Sequence, residues 1–162
     1  MTETVKTIHL ALQGGGAHGA FTWGVLDTLL TDGRLRFGGI SGTRAGAMNA
    51  VAWAHGWAKA QAEGKDPAEG ARVALAHIWR KVMDMGALSE NTARVARLVM
   101  GALPSAWSRM SPYQANPMDY NPLRELITGS IDFDRIARLQ SPRVLVAATG
   151  VEPGRAALSG GT

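Results

Sequence analysis

Apolar residues fall along this chain in two periods, and the switches between them outline strands alternating with helices. Thr7-Ile8-His9-Leu10-Ala11-Leu12 is a short apolar run, β-branched at its start, which predicts a buried strand. Within residues 17–30, Phe21, Val25, Leu26, Leu29 and Leu30 keep helical spacing, and Thr31-Asp32-Gly33 ends that helix with Gly33 as cap. Phe37-Gly38-Gly39-Ile40 predicts a short second strand, and residues 45–54 a buried helix of small residues. After a polar connector, Asp66-Pro67-Ala68-Glu69 reads as a helix start, with Asp at the cap and Pro in the first turn. Val73, Leu75, Ala76, Ile78, Trp79, Val82 and Met83 continue it, and residues 91–103 carry a further helical stretch. Asn121-Pro122-Leu123 opens another helix, and Asp132 caps the next. No repeat or low-complexity tract appears.

Composition narrows the classes. A chain of 162 residues with 46% hydrophobic content suits one domain, here residues 1–162, with a real core. Cysteine is absent, so disulfides and cysteine-based metal sites are excluded, and no metal or cofactor is expected. The start of the chain lacks a basic segment followed by an apolar stretch, and no apolar run is long enough to span a bilayer. Those features predict a cytoplasmic product. The net charge of +4 comes from basic residues such as Arg72, Arg80, Arg94, Arg109, Arg124, Arg135 and Arg143, scattered through the helical part. Scatter predicts solvated helix faces; the other reading is a weak attraction to an anionic lipid surface. No basic–aromatic or zinc framework points to nucleic acid.

The chemistry concentrates in two segments. Gln13-Gly14-Gly15-Gly16-Ala17-His18-Gly19-Ala20 joins the first strand to the first helix, so that backbone N–H groups can approach an anion or oxyanion closely. Ser41-Gly42-Thr43-Arg44-Ala45-Gly46 joins the second strand to the second helix. It has the G-x-S-x-G spacing of a nucleophile elbow, with Gly42 and Gly46 giving space to a strained central residue. Arg44 stands where that motif has serine. Gly14, Gly16 and Gly19 also match G-x-G-x-x-G, which leaves a nucleotide-binding α/β domain as a distant alternative. That fold wants an acidic residue closing the second strand, and Asp32 sits instead at a helix end.

Leu10-Ala11-Leu12-Gln13-Gly14-Gly15-Gly16-Ala17-His18-Gly19 and Ser41-Gly42-Thr43-Arg44-Ala45-Gly46-Ala47-Met48-Asn49-Ala50, in this order, closely resemble the patatin-like phospholipases. A third block, Ser111-Pro112-Tyr113 through Asn121-Pro122-Leu123, followed by Arg143-Val144-Leu145-Val146, resembles a bacterial subgroup of that family. The resemblance implies an α/β fold of α/β/α layers around a mainly parallel sheet, incomplete here at its C-terminus. It implies hydrolysis of phospholipid or other acyl lipids by a Ser–Asp dyad, with peripheral contact to a lipid surface. Gly14, Gly15, Gly16, Ala17 and Ala45 would supply the oxyanion hole and position 44 the nucleophile, while Trp107, Met110 and Tyr113 read either as ordinary packing or as the lining of an acyl pocket. The family's aspartate sits in a D-G-G or D-G-A motif, and none of Asp119, Glu125, Asp132, Asp134 and Glu152 is followed by those residues.

Two departures therefore predict a chain that does not turn over esters as it stands. A guanidinium has no nucleophilic oxygen, and without the aspartate a hydroxyl would lack its base. The alternative is a non-catalytic lipid- or anion-binding pseudoenzyme, in which Arg44 and the N–H groups of Gly15, Gly16 and Ala45 face a phosphate or fatty carboxylate. The early end of the family pattern predicts a fragment with an open sheet edge, prone to self-association or to pairing with a missing half. His18 faces a phosphate or solvent; His9, His55 and His77 read as structural.

Overall fold

The computed structural model describes residues 5–99, 121–149 and 156–160. Four strands form one sheet in the order β1 (Lys6–Leu12), β2 (Leu35–Thr43), β3 (Arg143–Thr149) and β4 (Ala156–Gly160). The first three run parallel and β4 runs antiparallel to β3, so the sheet is mainly parallel, as expected. Helices α1 (Gly19–Asp32), α2 (Ala45–Ala62), α3 (Pro67–Val99), α4 (Pro122–Ser130) and α5 (Phe133–Ala137) flank it. Trp107, Met110 and Tyr113 lie outside the described residues.

The caps follow the expected chemistry. Gly33 closes α1 in the left-handed region at φ 71°, and the Asn121 and Asp132 side chains accept from the Arg124 and Arg135 N–H groups. The second strand is longer than its apolar core suggested, because pairing on both sides with β1 and β3 carries it through Ser41-Gly42-Thr43. The two helices expected at residues 67–83 and 91–103 are a single helix through Val99. The apolar period lapses between them, but no proline lies between Pro67 and Pro104, and Gly86 costs only about 1 kcal/mol in a helix.

Helix α2 lies on the parallel strands, and α3 lies on α2 and α1. Leu26, Phe37, Ile40, Trp53, Leu75 and Ile78 fill the core between these layers. Phe37 meets Trp53 edge-on at 5.7 Å, and Trp57 stacks on Trp53 at 4.9 Å. The α2–α3 crossing is close because glycine faces glycine: a Cβ on Gly56 would run into the Gly70 carbonyl and stand 2.6 Å from the Ala74 Cβ. Arg72 is not a free surface charge, since it pairs with Asp27 of α1 at 2.8 Å and with Glu69 at 2.7 Å.

His55 ties α5 to α2. Its Nδ1 accepts from the Asp132 N–H at 3.0 Å, a bond that only the imidazole unprotonated at Nδ1 can make. Burial pushes the His55 pKa below the ordinary 6.5; Lys59 adds to this, as do Arg135 and His77, while Asp132 opposes. The neutral ring is thus favoured by folding, and the unfolded chain takes up the proton first as pH falls. This contribution is whole above pH 6.5 and is lost as pH drops through the lower folded value. Urea midpoints measured from about pH 8 to about pH 5 should fall on acidification, and His55→Phe should flatten that part of the slope.

Candidate functional site

In the parallel β1–β2 pair, Ala11 stands beside Ser41 and Leu12 beside Gly42, so the two strands end together and their loops leave side by side. The first loop runs through Gly15 and Gly16, the latter at φ 57°, into a single 3-10 turn (Gly16–His18) and then α1. The second is one residue long. Arg44, at φ 52° and ψ −121°, separates β2 from α2 and is the only non-glycine residue with positive φ among those described.

Close packing explains the glycines. A Cβ on Gly46 would run into the Leu12 carbonyl and stand 2.9 Å from the Gln13 oxygen, so α2 begins directly against the end of β1. One on Gly42 would run into the Gly46 carbonyl and come within 2.6 Å of the Ala47 nitrogen. One on Gly14 would stand 2.9 Å from the Arg44 Cβ. The Gly14 N–H donates to Thr43 Oγ1 at 3.2 Å, which clips the glycine loop to the second turn. Ser41 Oγ donates to the Leu10 carbonyl at 3.3 Å, between the same two strands.

Of the expected site residues, Gly14, Arg44, Ala45, Gly42 and Gly46 are thus brought together. Gly15, Gly16 and Ala17 follow Gly14 in the exposed part of the loop. Gly16 and Ala17 stand in the first helical turn, whose leading N–H groups have no partner within the helix. Arg44 is exposed and makes no ion pair or side-chain hydrogen bond among the described residues. The His18 ring stays near its own loop, 3.0 Å from the Gly15 oxygen. Beside the strand ends a cleft of about 410 Å³ is lined mostly by apolar groups, among them Ala11, Leu12, Leu145 and Ala147.

A sequence profile for patatin-like phospholipase matches residues 10–154. The chain belongs to the patatin-like phospholipase family. No curated protein and no solved structure matches it. The family is one of lipid acyl hydrolases, which makes an acyl lipid the class of molecule this fold handles. The acid that a dinucleotide site would need is committed elsewhere, as Asp32 binds Arg34 Nε at 2.9 Å through both carboxylate oxygens. No described helix is long and apolar enough to cross a membrane.

Sequence reasoning missed the groups that hold this patatin-like turn in place. Asn49 is fully buried one turn into α2, donating from Nδ2 to the Gly19 carbonyl at 2.9 Å and accepting from Trp79 Nε1 at 2.7 Å. Gly19, the first residue of α1, packs so tightly that a Cβ would stand 2.8 Å from both the Ala45 Cβ and the Trp79 ring. An asparagine among alanines on a buried helix face was the available signal, since such a group must find partners.

The strain at Arg44 is itself testable. A non-glycine residue held at positive φ costs about 1–3 kcal/mol, and glycine relieves it at an entropic cost of about 0.5–1 kcal/mol. Arg44→Gly should therefore raise stability by roughly 1 kcal/mol, or Tm by about 2–4 °C in a chain of this size. An unchanged or lower Tm would mean the turn is not strained at this residue.

Proposed function

We propose that this chain carries the acyl-lipid site of a patatin-type hydrolase but does not cleave esters as it stands. The observation that carries the reading is Arg44, which occupies the positive-φ apex of the β2–α2 turn where a nucleophilic hydroxyl would have to stand. On this reading the loop N–H groups of Gly15, Gly16, Ala17 and Ala45 form the oxyanion cradle, and the Gly14 N–H, bound to Thr43, holds the loop in place. The apolar cleft beside the strand ends takes the acyl chain. Thr43 Oγ1 and Ser41 Oγ are occupied within the fold and neither is at the apex, so neither replaces the missing nucleophile.

Loss of the attacking group lowers turnover by roughly 10³-fold or more, and dyad members do not act independently. Hydrolysis of a medium-chain p-nitrophenyl ester by the 162-residue chain should match a heat-denatured control. Arg44→Ser should stay close to that baseline, because no D-G-G or D-G-A motif lies in these residues to supply a base. Clear turnover by the parent chain would overturn the proposal. A second reading rests on the exposed guanidinium beside the loop, which has no partner among the described residues: Arg44 binds an anionic head group or fatty carboxylate. Arg44→Ala should then weaken binding of such a lipid, and unchanged binding would remove this role.

A further inference from the structure

Among the described residues a second cavity is larger than the cleft near Arg44. It is a groove of about 620 Å³ along the α2–α3 hairpin, lined also by Gly129 and Ser130 of α4. Its first lining residue on α2, His55, is eleven residues beyond Arg44, roughly 16 Å along the helix axis. The floor is apolar and smooth: Gly56 and Gly70 bring the helices together, and Ala60, Val73 and Ala74 surround that crossing. Val73 is left 60% exposed.

The charges around this floor are unequal in availability. Each lining acid is already used. Glu63 is paired with Lys65 at 2.7 Å and Glu69 with Arg72 at 2.7 Å, while Asp66 Oδ1 accepts from the Ala68 N–H at 2.9 Å. Lys65 is spent on Glu63, but the other two lining lysines are not committed. Lys59 of α2 and Lys81 of α3 form no ion pair or hydrogen bond among the described residues, and neither does the His77 ring between them. The groove therefore combines an apolar floor with two uncommitted ammonium groups and an imidazole ring. Its volume lies in the range that holds one small ligand.

We infer that this groove is a binding site, separate from the Arg44 turn, for an anionic amphiphile: a carboxylate or phosphate head group on His77 and Lys81, one turn apart on α3, with an aliphatic chain laid over Gly70, Val73 and Ala74 toward Lys59. The inference does not depend on the proposed function, since no groove residue takes part in the turn. A natural source is either a free fatty acid or a lipid phosphate monoester, and both have this chemistry.

The histidines make the test site-resolved. His77 lines the groove and His18 lies in the glycine loop, so imidazole ¹H–¹³C spectra of the whole chain report the two places separately. Titration with monomeric decanoate and with decyl phosphate should move the His77 signals saturably, and the anion that binds names the source. Lys81→Glu should weaken that titration at least tenfold with Tm retained, and Val73→Asp should do the same by placing a carboxylate on the floor. Arg44→Ala should leave it unchanged. The inference fails if neither anion moves His77, if decyltrimethylammonium moves it equally, or if the charge-reversed chain binds as before. It also fails if inorganic phosphate binds as tightly as decyl phosphate, because the apolar floor would then contribute nothing. Loss of a His18 response with a retained His77 response would instead count against the Arg44 reading alone.

Discussion

Gly46→Ala is expected to destabilise the chain by about 2–3 kcal/mol, although alanine is the better helix former. In a helix interior the exchange alone would stabilise by roughly 1 kcal/mol. Here the added methyl would meet the Leu12 carbonyl and stand 2.7 Å from the Leu12 carbon and 2.9 Å from the Gln13 oxygen. These are backbone atoms at and just past the end of a paired strand, so no side chain can rotate away. Either β1 or the start of α2 must shift, and overpacking of this kind costs about 1–3 kcal/mol, occasionally more. The clash involves two elements that meet at the candidate site, which places this substitution at the upper end and lets it outweigh the propensity gain. Gly24→Ala is the matched control, because Gly24 also lies in a helix but has nothing within 4 Å of the added position. It should raise stability by roughly 1 kcal/mol. Thermal unfolding of the two variants should therefore move in opposite directions, Gly46→Ala down by about 5–10 °C and Gly24→Ala up by about 2–4 °C. A Gly46→Ala protein as stable as its parent would show that the strand end and the helix start are not in contact.

Much of this arrangement was legible because it depends on local pattern. The strand–glycine loop–helix unit shows in the change of apolar period around Gln13-Gly14-Gly15-Gly16, and the caps at Gly33, Asn121 and Asp132 follow from residue type. The turn at Arg44 was legible from its flanking glycines even though its central residue departs from the motif. What stayed hidden depends on partners distant in sequence. Thr43 is unremarkable until Gly14, twenty-nine residues away, donates to its hydroxyl. Likewise, His55 reads as one more helix residue until the Asp132 N–H reaches its ring across seventy-seven positions. The continuity of α3 was missed for another reason. An apolar period reports only which face is buried, so a lapse in the period between residues 83 and 91 does not end the helix. The basic residues show the same limit, since composition makes Arg72 and Lys81 alike, whereas the fold pairs the first and leaves the second open.

Asn49 should prove the most sensitive polar position in the chain. Its side chain sits at 0% exposure, and its two bonds join three helices: Gly19 at the start of α1, Asn49 in α2 and Trp79 in α3. Asn49→Leu removes both bonds and leaves the N–H of Trp79, a residue only 3% exposed, facing an aliphatic group. A buried donor without a partner costs about 1–3 kcal/mol, and the branched side chain must also fit where a planar amide lay. A loss of about 3–4 kcal/mol is expected, or roughly 6–15 °C in Tm. The cause can be separated from simple misfit. Trp79→Phe removes the donor itself, so in the Asn49→Leu background it should cost less than in the parent, with a coupling of about 1–2 kcal/mol between the two positions. Strict additivity would mean that Asn49 acts through its volume alone. Because Gly19 follows directly on the glycine loop, the same variant should also speed amide exchange at Gly15, Gly16 and Ala17 more than in the middle of α2. That pattern would tie the buried amide to the loop that presents N–H groups to a ligand, whereas uniform acceleration would limit Asn49 to global stability.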